Sequence, residues 1–557
     1  KLLGGMSASG MFASKAVSGK QARFLELWRL VGRGDHTEVV ATLINHMATG
    51  LRFWGDVHTV INRTLEVLEG MAFSYSAGRL LNSLESVSYL LKNHGPESFP
   101  FLALQGNGRA RTRFYMCLAR LLFLGEDADE RFDAFFAPIA ATMDAARAPG
   151  AAAARTSAVG AGLSGLGRDL RGIVRAAHNK STFNLVFDSI IASGRIEAVV
   201  NGIASWSDVP AVCNPLLKAV VEMTTNRGSR IGFPSSSPNG VLLFKTVSQA
   251  VVAYAKPVLS TPIPETDAYA ARFKGTSQAI RALTLALSGT FCPIGVFDLY
   301  KDPTLDHALE GGLRLFQSIP HASVHSHPKV AREAFSFLAV LFHSHLDKLV
   351  QLPLESFQSL LAHLNAGVNS IDDRVASSAA AAIDNLCTAF VRGQHRTRKD
   401  TAGLRRQLAA QPTLFEDVMQ LLFKVSGSLA RRKKRPRRPL RRHLHPYPPS
   451  PRSPLPPPTP IALALVQIVV FSEASLWTVA RPLLSSTLAA CVVKPAAWSD
   501  FSSAMVGSQP PEVRPRFKAD LDKLMTGITR SLDAPNRERF TRAVHLFRAE
   551  VLTYVQM

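Results

Sequence analysis

Glu38-Val-Val-Ala-Thr-Leu-Ile-Asn-His-Met-Ala-Thr-Gly-Leu51 is the stretch that decides the fold. Val39, Val40, Leu43, Met47 and Leu51 fall together on one helical face, and Thr42, Asn45 and Thr49 turn away from it. Apolar residues at this spacing mark an amphipathic helix with one side to bury. Gly50 is tolerated near its end, and Gly55 helps close the break. A second helix is expected over Val57, Val60, Ile61, Leu65 and Leu68, ended by Gly70. A third carries Leu80, Leu81, Leu84, Val87, Leu90 and Leu91 and is stopped by Gly95-Pro96. A fourth, Arg113 to Leu124, aligns Phe114, Leu118, Leu121 and Leu122.

The same rhythm continues through Leu216–Met223, Val241–Val252, Ile280–Leu287, Ala331–Phe342, Phe357–Leu364, Val375–Phe390, Phe415–Val425 and Phe540–Val555. No strand-turn-strand pattern interrupts it. Helices of this length joined by short turns give a repeat of about 40–47 residues, the HEAT or armadillo period. The 557 residues exceed what one compact core can organise, since cores stop growing near about 250–300 residues. A stacked array escapes that limit because each repeat packs only on its neighbours. The expected fold is therefore all-α, a solenoid superhelix of antiparallel helix pairs that works by binding. Residues 1–20 read as an irregular tail and 21–425 as the solenoid. Residues 145–167, rich in Ala and Gly, read as a flexible loop within it. Residues 461–557 read as further repeats.

Residues 426–460 break the pattern with ten basic residues and no acidic one. Their prolines forbid a helix and their charge forbids burial, so a disordered insertion is expected. A translated intron is the other origin such a Pro/Ser/Leu-rich stretch admits. The chain has 64 Lys and Arg against 42 Asp and Glu, a formal charge of +22. That excess points to acidic partners or nucleic acid, but without 426–460 it falls to about +12, which weakens the reading. Five scattered cysteines, Cys117, Cys213, Cys292, Cys387 and Cys491, form no CxxC pair and read as reduced, buried thiols. The longest apolar run, Ile461 to Phe471, is too short to span a bilayer. No secretory signal precedes it, and the start at Lys1 suggests a fragment of a longer protein.

No motif carries catalysis. Gly160-Ala-Gly162-Leu-Ser-Gly165 spells GxGxxG but lacks the strand that a phosphate loop requires before it. Arg33-Gly34-Asp35 reads as a turn whose Asp35 caps a helix. His321, His325 and His327 crowd between Pro320 and Pro328, yet lack a further ligand that would make a metal site, so a surface loop is expected. His343 and His345, two apart on a helix, point to different faces. Arg431 to Arg442 resembles a nuclear localisation signal but has no interleaved aromatics for specific nucleic-acid recognition. Arg168, Asp169 and Arg171 are expected at a turn-to-helix start, joining neighbouring repeats by charge-assisted hydrogen bonds. No catalytic, cofactor-binding or metal-binding residue is assigned, and no cofactor is expected.

Several strings resemble one family in order and spacing. They are Phe24 to Asp35, Arg168 to Ile173, Ser237 to Phe244, Leu287 to Gly289 with Gly295 to Phe297, Arg481 to Leu484, Ser508 to Pro511, and Asn536 to Thr541. Together they resemble the C-terminal half of the exportin-7 and Ran-binding protein 16/17 family, karyopherins of the importin-β superfamily. The resemblance implies a HEAT superhelix that carries folded protein cargo through nuclear pores under the GTPase Ran, as a monomer shuttling between nucleus and cytoplasm. It implies Ran-GTP, cargo and nucleoporins as partners, the main Ran contact lying upstream of this fragment. Cargo would be taken through basic surface features, with import as well as export. No single cargo- or Ran-binding residue is carried over. The competing expectation is a solenoid scaffold outside transport.

Overall fold

The computed structural model describes residues 36–393 apart from 126 and 235, residues 399–410, 509–528 and 534–551, and a few scattered positions. Every regular element among the described residues is a helix. The chain divides into two units, Lys1–Pro320 and His321–Met557.

The first unit contains α1 (His36–Phe53), α2 (His58–Ala72), α3 (Gly108–Leu122), α4 (Ala128–Arg147), α5 (Ser157–Ala176), α6 (Glu197–Ser205), α7 (Pro210–Thr224), α8 (Asn239–Ser260), α9 (Lys274–Ser288) and α10 (Thr304–Gln317). Two layers emerge from their packing. α2, α3, α5, α7 and α9 lie one against the next, and α4, α6, α8 and α10 do the same. From α3 onward the chain alternates between the layers, each helix touching the one before it and the one two further on. This nearest-neighbour stacking is that of an α-solenoid, where the core is continuous along the stack.

The decisive stretch buries Val40, Ile44, Met47 and Leu51, while Leu43 is 37% exposed. The face is thus turned from the one expected: positions i, i+4, i+7 and i+11 stay in line on a helix of 3.6 residues per turn, and Leu43 falls at the edge. α2 runs through Gly70 to Ala72, because a single glycine weakens but does not end a helix that packing holds. The third expected helix is two, Tyr75–Asn82 and Glu85–Lys92. Leu81, Leu84, Val87, Leu90 and Leu91 are nonetheless buried as the pattern required.

The expectation for residues 145–167 is overturned. α4 continues to Arg147 and α5 begins at Ser157, so only 148–156 connect them. Thr156 caps α5, its side-chain oxygen accepting from the Val159 amide at 3.3 Å. The glycines of α5 are contact residues. A Cβ on Gly167 would lie 2.7 Å from the Leu216 amide nitrogen, and one on Gly172 would lie 2.5 Å from the Thr112 carbonyl oxygen. Glycine there lets α5 sit tightly between α3 and α7, since the side chains at a crossing set its interaxial distance. Pro215 inside α7 lacks an amide for the Ala211 carbonyl four residues back. The Ser164 hydroxyl of α5 donates to that carbonyl instead, at 3.0 Å.

Arg230 closes the same end of both helices. Only 1% exposed, it donates to the Val174 and Ala177 carbonyls at the end of α5 and to the Glu222 carbonyl of α7, at 2.5, 2.7 and 2.8 Å. A cation at two helix C-termini satisfies their orphan carbonyls and complements their dipoles.

In the second unit α11 (His321–Ser326), α12 (Pro328–Ser344), α13 (Leu354–Val368) and α14 (Asp373–Gly393) form one cluster, with α12 and α13 both packed on α14. α15 (Arg514–Met525) and α16 (Ala534–Val551) pack together. The tail 1–20, Arg33-Gly34-Asp35, the helix expected over Phe415–Val425, the insertion 426–460 and most of 461–508 lie outside the described residues. Among the described residues no helix is long and apolar enough to cross a membrane.

Candidate functional site

One face of the layer formed by α2, α3, α5, α7 and α9 carries a groove of ≈ 520 Å³. α3 supplies Arg109 and Arg113, α5 supplies Arg168, Arg171 and Arg175, α7 supplies Lys218 and α9 supplies Lys274. Seven cations thus face one carboxylate on the lining, Glu69 of α2. Glu69 is taken by Arg113 at 2.9 Å. Residues 168, 171 and 175 lie three and four apart on α5, so one helical stripe presents all three.

This crowding shows in the proton affinities. Burial pushes Lys218 down to about 8, helped by the cations of Lys274, Arg171, Arg168 and Arg109. Arg168 is lowered by burial and by Arg111, and Arg171 by burial against the pull of Glu222. A surface that disfavours its own positive charges is one that gains when an anion enters.

The groove is held by ion pairs behind it. Arg111 of α3 grips Asp169 of α5 bidentately, Nε to Oδ1 at 2.6 Å and Nη2 to Oδ2 at 2.5 Å. Asp169 is buried. Burial raises its carboxyl to about 6 against the pull of Arg111. On α7, buried Glu222 lies 3.9 Å from Arg171 and 3.7 Å from Arg230, and also holds Arg227.

The structure therefore divides the expected Arg168-Asp169-Arg171 cluster. All three sit in the body of α5, not at its start. Asp169 does join neighbouring helices as expected, and Arg171, at 3.9 Å from Glu222 of α7, does so while also lining the groove; Arg168 lines the groove. Lys218 and Lys274 were not singled out from sequence. They lie about 50 and 106 residues beyond Arg168 along the chain, and the layer brings them together. An apolar helix with one cation on its outer face, as at Lys218, is the signal that could have found them.

The GxGxxG run lies within α5, with Gly160 against Trp206 and, among the described residues, no strand before it. Cys117, Cys213 and Cys292 are buried free thiols, as expected; Cys387 is buried too, and Cys491 lies outside the described residues. Burial raises Cys213 to about 12 and Cys292 to about 11, so these thiols stay protonated at neutral pH. His321 and His325 are on a short helix, not a loop, and His363 of α13 joins them. His327 instead occupies the N-cap position of α12.

A profile described as "Exportin-7-like, TPR domain" matches residues 11–110. Exportin-7-B of Xenopus laevis is 30% identical over 532 residues, which is 94% of this chain and 45% of that protein. Ran-binding protein 17 of Mus musculus is 28% identical over 543 residues, 95% of this chain and 46% of its own length. Ran-binding protein 16 of Drosophila melanogaster is 25% identical over 541 residues, covering 94% and 45%. The resemblance read from the sequence thus holds over nearly all of this chain, which spans about half the length of these relatives.

Proposed function

We propose, from this kinship with exportin-7 and Ran-binding proteins 16 and 17, that the chain is part of a nuclear transport receptor. It binds protein cargo in a Ran-GTP-dependent way and shuttles with it through the nuclear pore between nucleus and cytoplasm. The relatives' names and the extent of the match support the class, and the basic groove on the α3–α5–α7–α9 layer supports the mode. Seven cations on successive helices form a surface for an acidic patch of a macromolecular partner, cargo or Ran. A stacked array suits such coupling, because two ligands that bridge different repeats each bias the pitch of the stack, and their affinities become linked.

The test is recovery of the full-length receptor on immobilised Ran loaded with GTP or with GDP. Preferential recovery on the GTP form is expected. Equal recovery overturns the transport reading and leaves a scaffold that does not exchange partners with nucleotide. In the same assay an Arg168→Glu, Lys218→Glu receptor separates the roles of the groove. Lost Ran recovery assigns the groove to Ran, and retained Ran recovery with weakened cargo binding assigns it to cargo.

A further inference from the structure

We propose that His321, His325 and His363 form a transition-metal site that holds Zn2+ through three imidazole nitrogens, with its fourth position open to solvent. The three residues lie in one unit of the chain and come from two elements. His321 and His325 are four residues apart on α11, one turn of helix, and so share a face. His363 reaches them from α13 across the packed interface, and is itself only 4% exposed. One ring nitrogen of each lies within 4.8 Å of the other two. Ring centroids are 4.7 Å apart for His321 and His325, and 4.4 Å for His321 and His363.

Tetrahedral Zn2+ with nitrogens at about 2.0–2.1 Å places them about 3.3 Å from one another. The largest pair must therefore close by no more than about 1.5 Å. The rotation falls to exposed His321 and half-buried His325, since His363 is fixed by burial. His325 Nε2 is buried and has no hydrogen-bond partner, a lone polar atom that coordination would satisfy. Burial, with the neighbouring imidazoles, disfavours the protonated form of both His363 and His325. Neutral imidazole is the ligand form, and three such ligands without a carboxylate suit Zn2+, Cu2+ or Ni2+ over Mg2+ or Ca2+.

The gradient of burial sets the geometry of the open side. His363 is buried, His325 half-buried and His321 exposed, so the metal would sit at the rim of the helix pair with water as its fourth ligand. Bound there, it would pin the short α11, which carries only one buried apolar side chain, Val324, to α13.

The test uses the whole chain stripped with a chelator and titrated with Co2+, whose tetrahedral nitrogen complexes absorb in the visible. One equivalent of Co2+ is expected to give such a band, and Zn2+ to displace it. His321→Ala, at an exposed position that leaves the core intact, and His325→Ala are each expected to weaken Zn2+ binding by at least about tenfold. His327→Ala is expected to bind as the parent does. Circular dichroism of each variant confirms the fold, and a misfolded His363→Ala leaves the test to His321→Ala. The proposal is overturned if no saturable band forms. It is equally overturned if His321→Ala binds Zn2+ as the parent does, or if His327→Ala weakens binding as much as His321→Ala.

Discussion

Ion pairs in this chain differ in kind, and the difference decides what each contributes. Arg63 and Glu66, 81% and 60% exposed along their side chains, make a surface pair worth at most about 0.5 kcal/mol. Arg111 and Asp169 are 16% and 5% exposed and meet bidentately. Removing Arg111 leaves Asp169 buried without its cation, which costs about 3–5 kcal/mol. Chemical denaturation of Arg111→Ala is expected to show a loss of that size in the first unit, whereas Arg63→Ala shifts the midpoint little. Lys218 gives the pH dependence. Its cation is disfavoured in the free groove, where it titrates near 8, below the ordinary lysine value of about 10.4. A bound anion restores part of that proton affinity. Affinity for polyglutamate, a simple acidic probe, is therefore full below about pH 7 and falls as pH rises through 8. In the free chain the sign is opposite: the unfolded lysine holds its proton more tightly, so this residue's contribution to stability rises with pH from about 8 to about 10.4. Calorimetry in buffers of different ionisation enthalpy should detect proton uptake on binding near pH 8, and Lys218→Met should abolish it.

Helices were legible where apolar spacing was strong and misread where packing is made by backbone. Phe114, Leu118, Leu121 and Leu122 align α3 in the sequence and are buried in the structure. α5 hides its contacts, because the atoms that meet Thr112 and Leu216 belong to glycines. A Gly-rich run carries a weak helix propensity, about 1 kcal/mol per residue below alanine, and so reads as a loop. Tertiary approach reverses that inference here. Gly172→Ala and Gly167→Ala should each destabilise the first unit by about 1–3 kcal/mol, since the obstructing atoms are backbone and cannot step aside. Gly162→Ala faces open space on the same helix and should gain up to about 1 kcal/mol from propensity alone. Thermal unfolding of the three variants tests this directly; destabilisation by Gly162→Ala as large as by Gly172→Ala would contradict the close approach. The groove was legible only as a basic excess. Arg168 and Arg171 were visible as a cluster on one element, while Lys218 and Lys274 join them through the layer, a placement that no local window contains. His363 was missed for the same reason, as it lies 38 residues beyond His325.

At the scale of the whole molecule, the charge of +22 has two sources with different physics. Ten basic residues fall in 426–460, close together along the chain and without an acidic neighbour. The groove's seven cations are instead fixed on packed helices at spacings set by the layer. Contiguous charge binds any polyanion, with an affinity that falls steeply as salt rises, because released counterions then gain less entropy. Positioned charge selects an acidic surface of matching shape and resists salt to the extent that Lys218 and Arg168 are desolvated. Deleting 426–460 should therefore separate the two. Duplex DNA binding, followed by fluorescence anisotropy, should be lost in the deletion, while polyglutamate binding persists and remains sensitive to Lys218→Glu. If DNA binding survives the deletion with a steep salt slope, the groove itself is a nucleic-acid surface. If polyglutamate binding disappears with the insertion, the groove is not the acidic-partner site, and the folded stack contributes shape rather than charge to recognition.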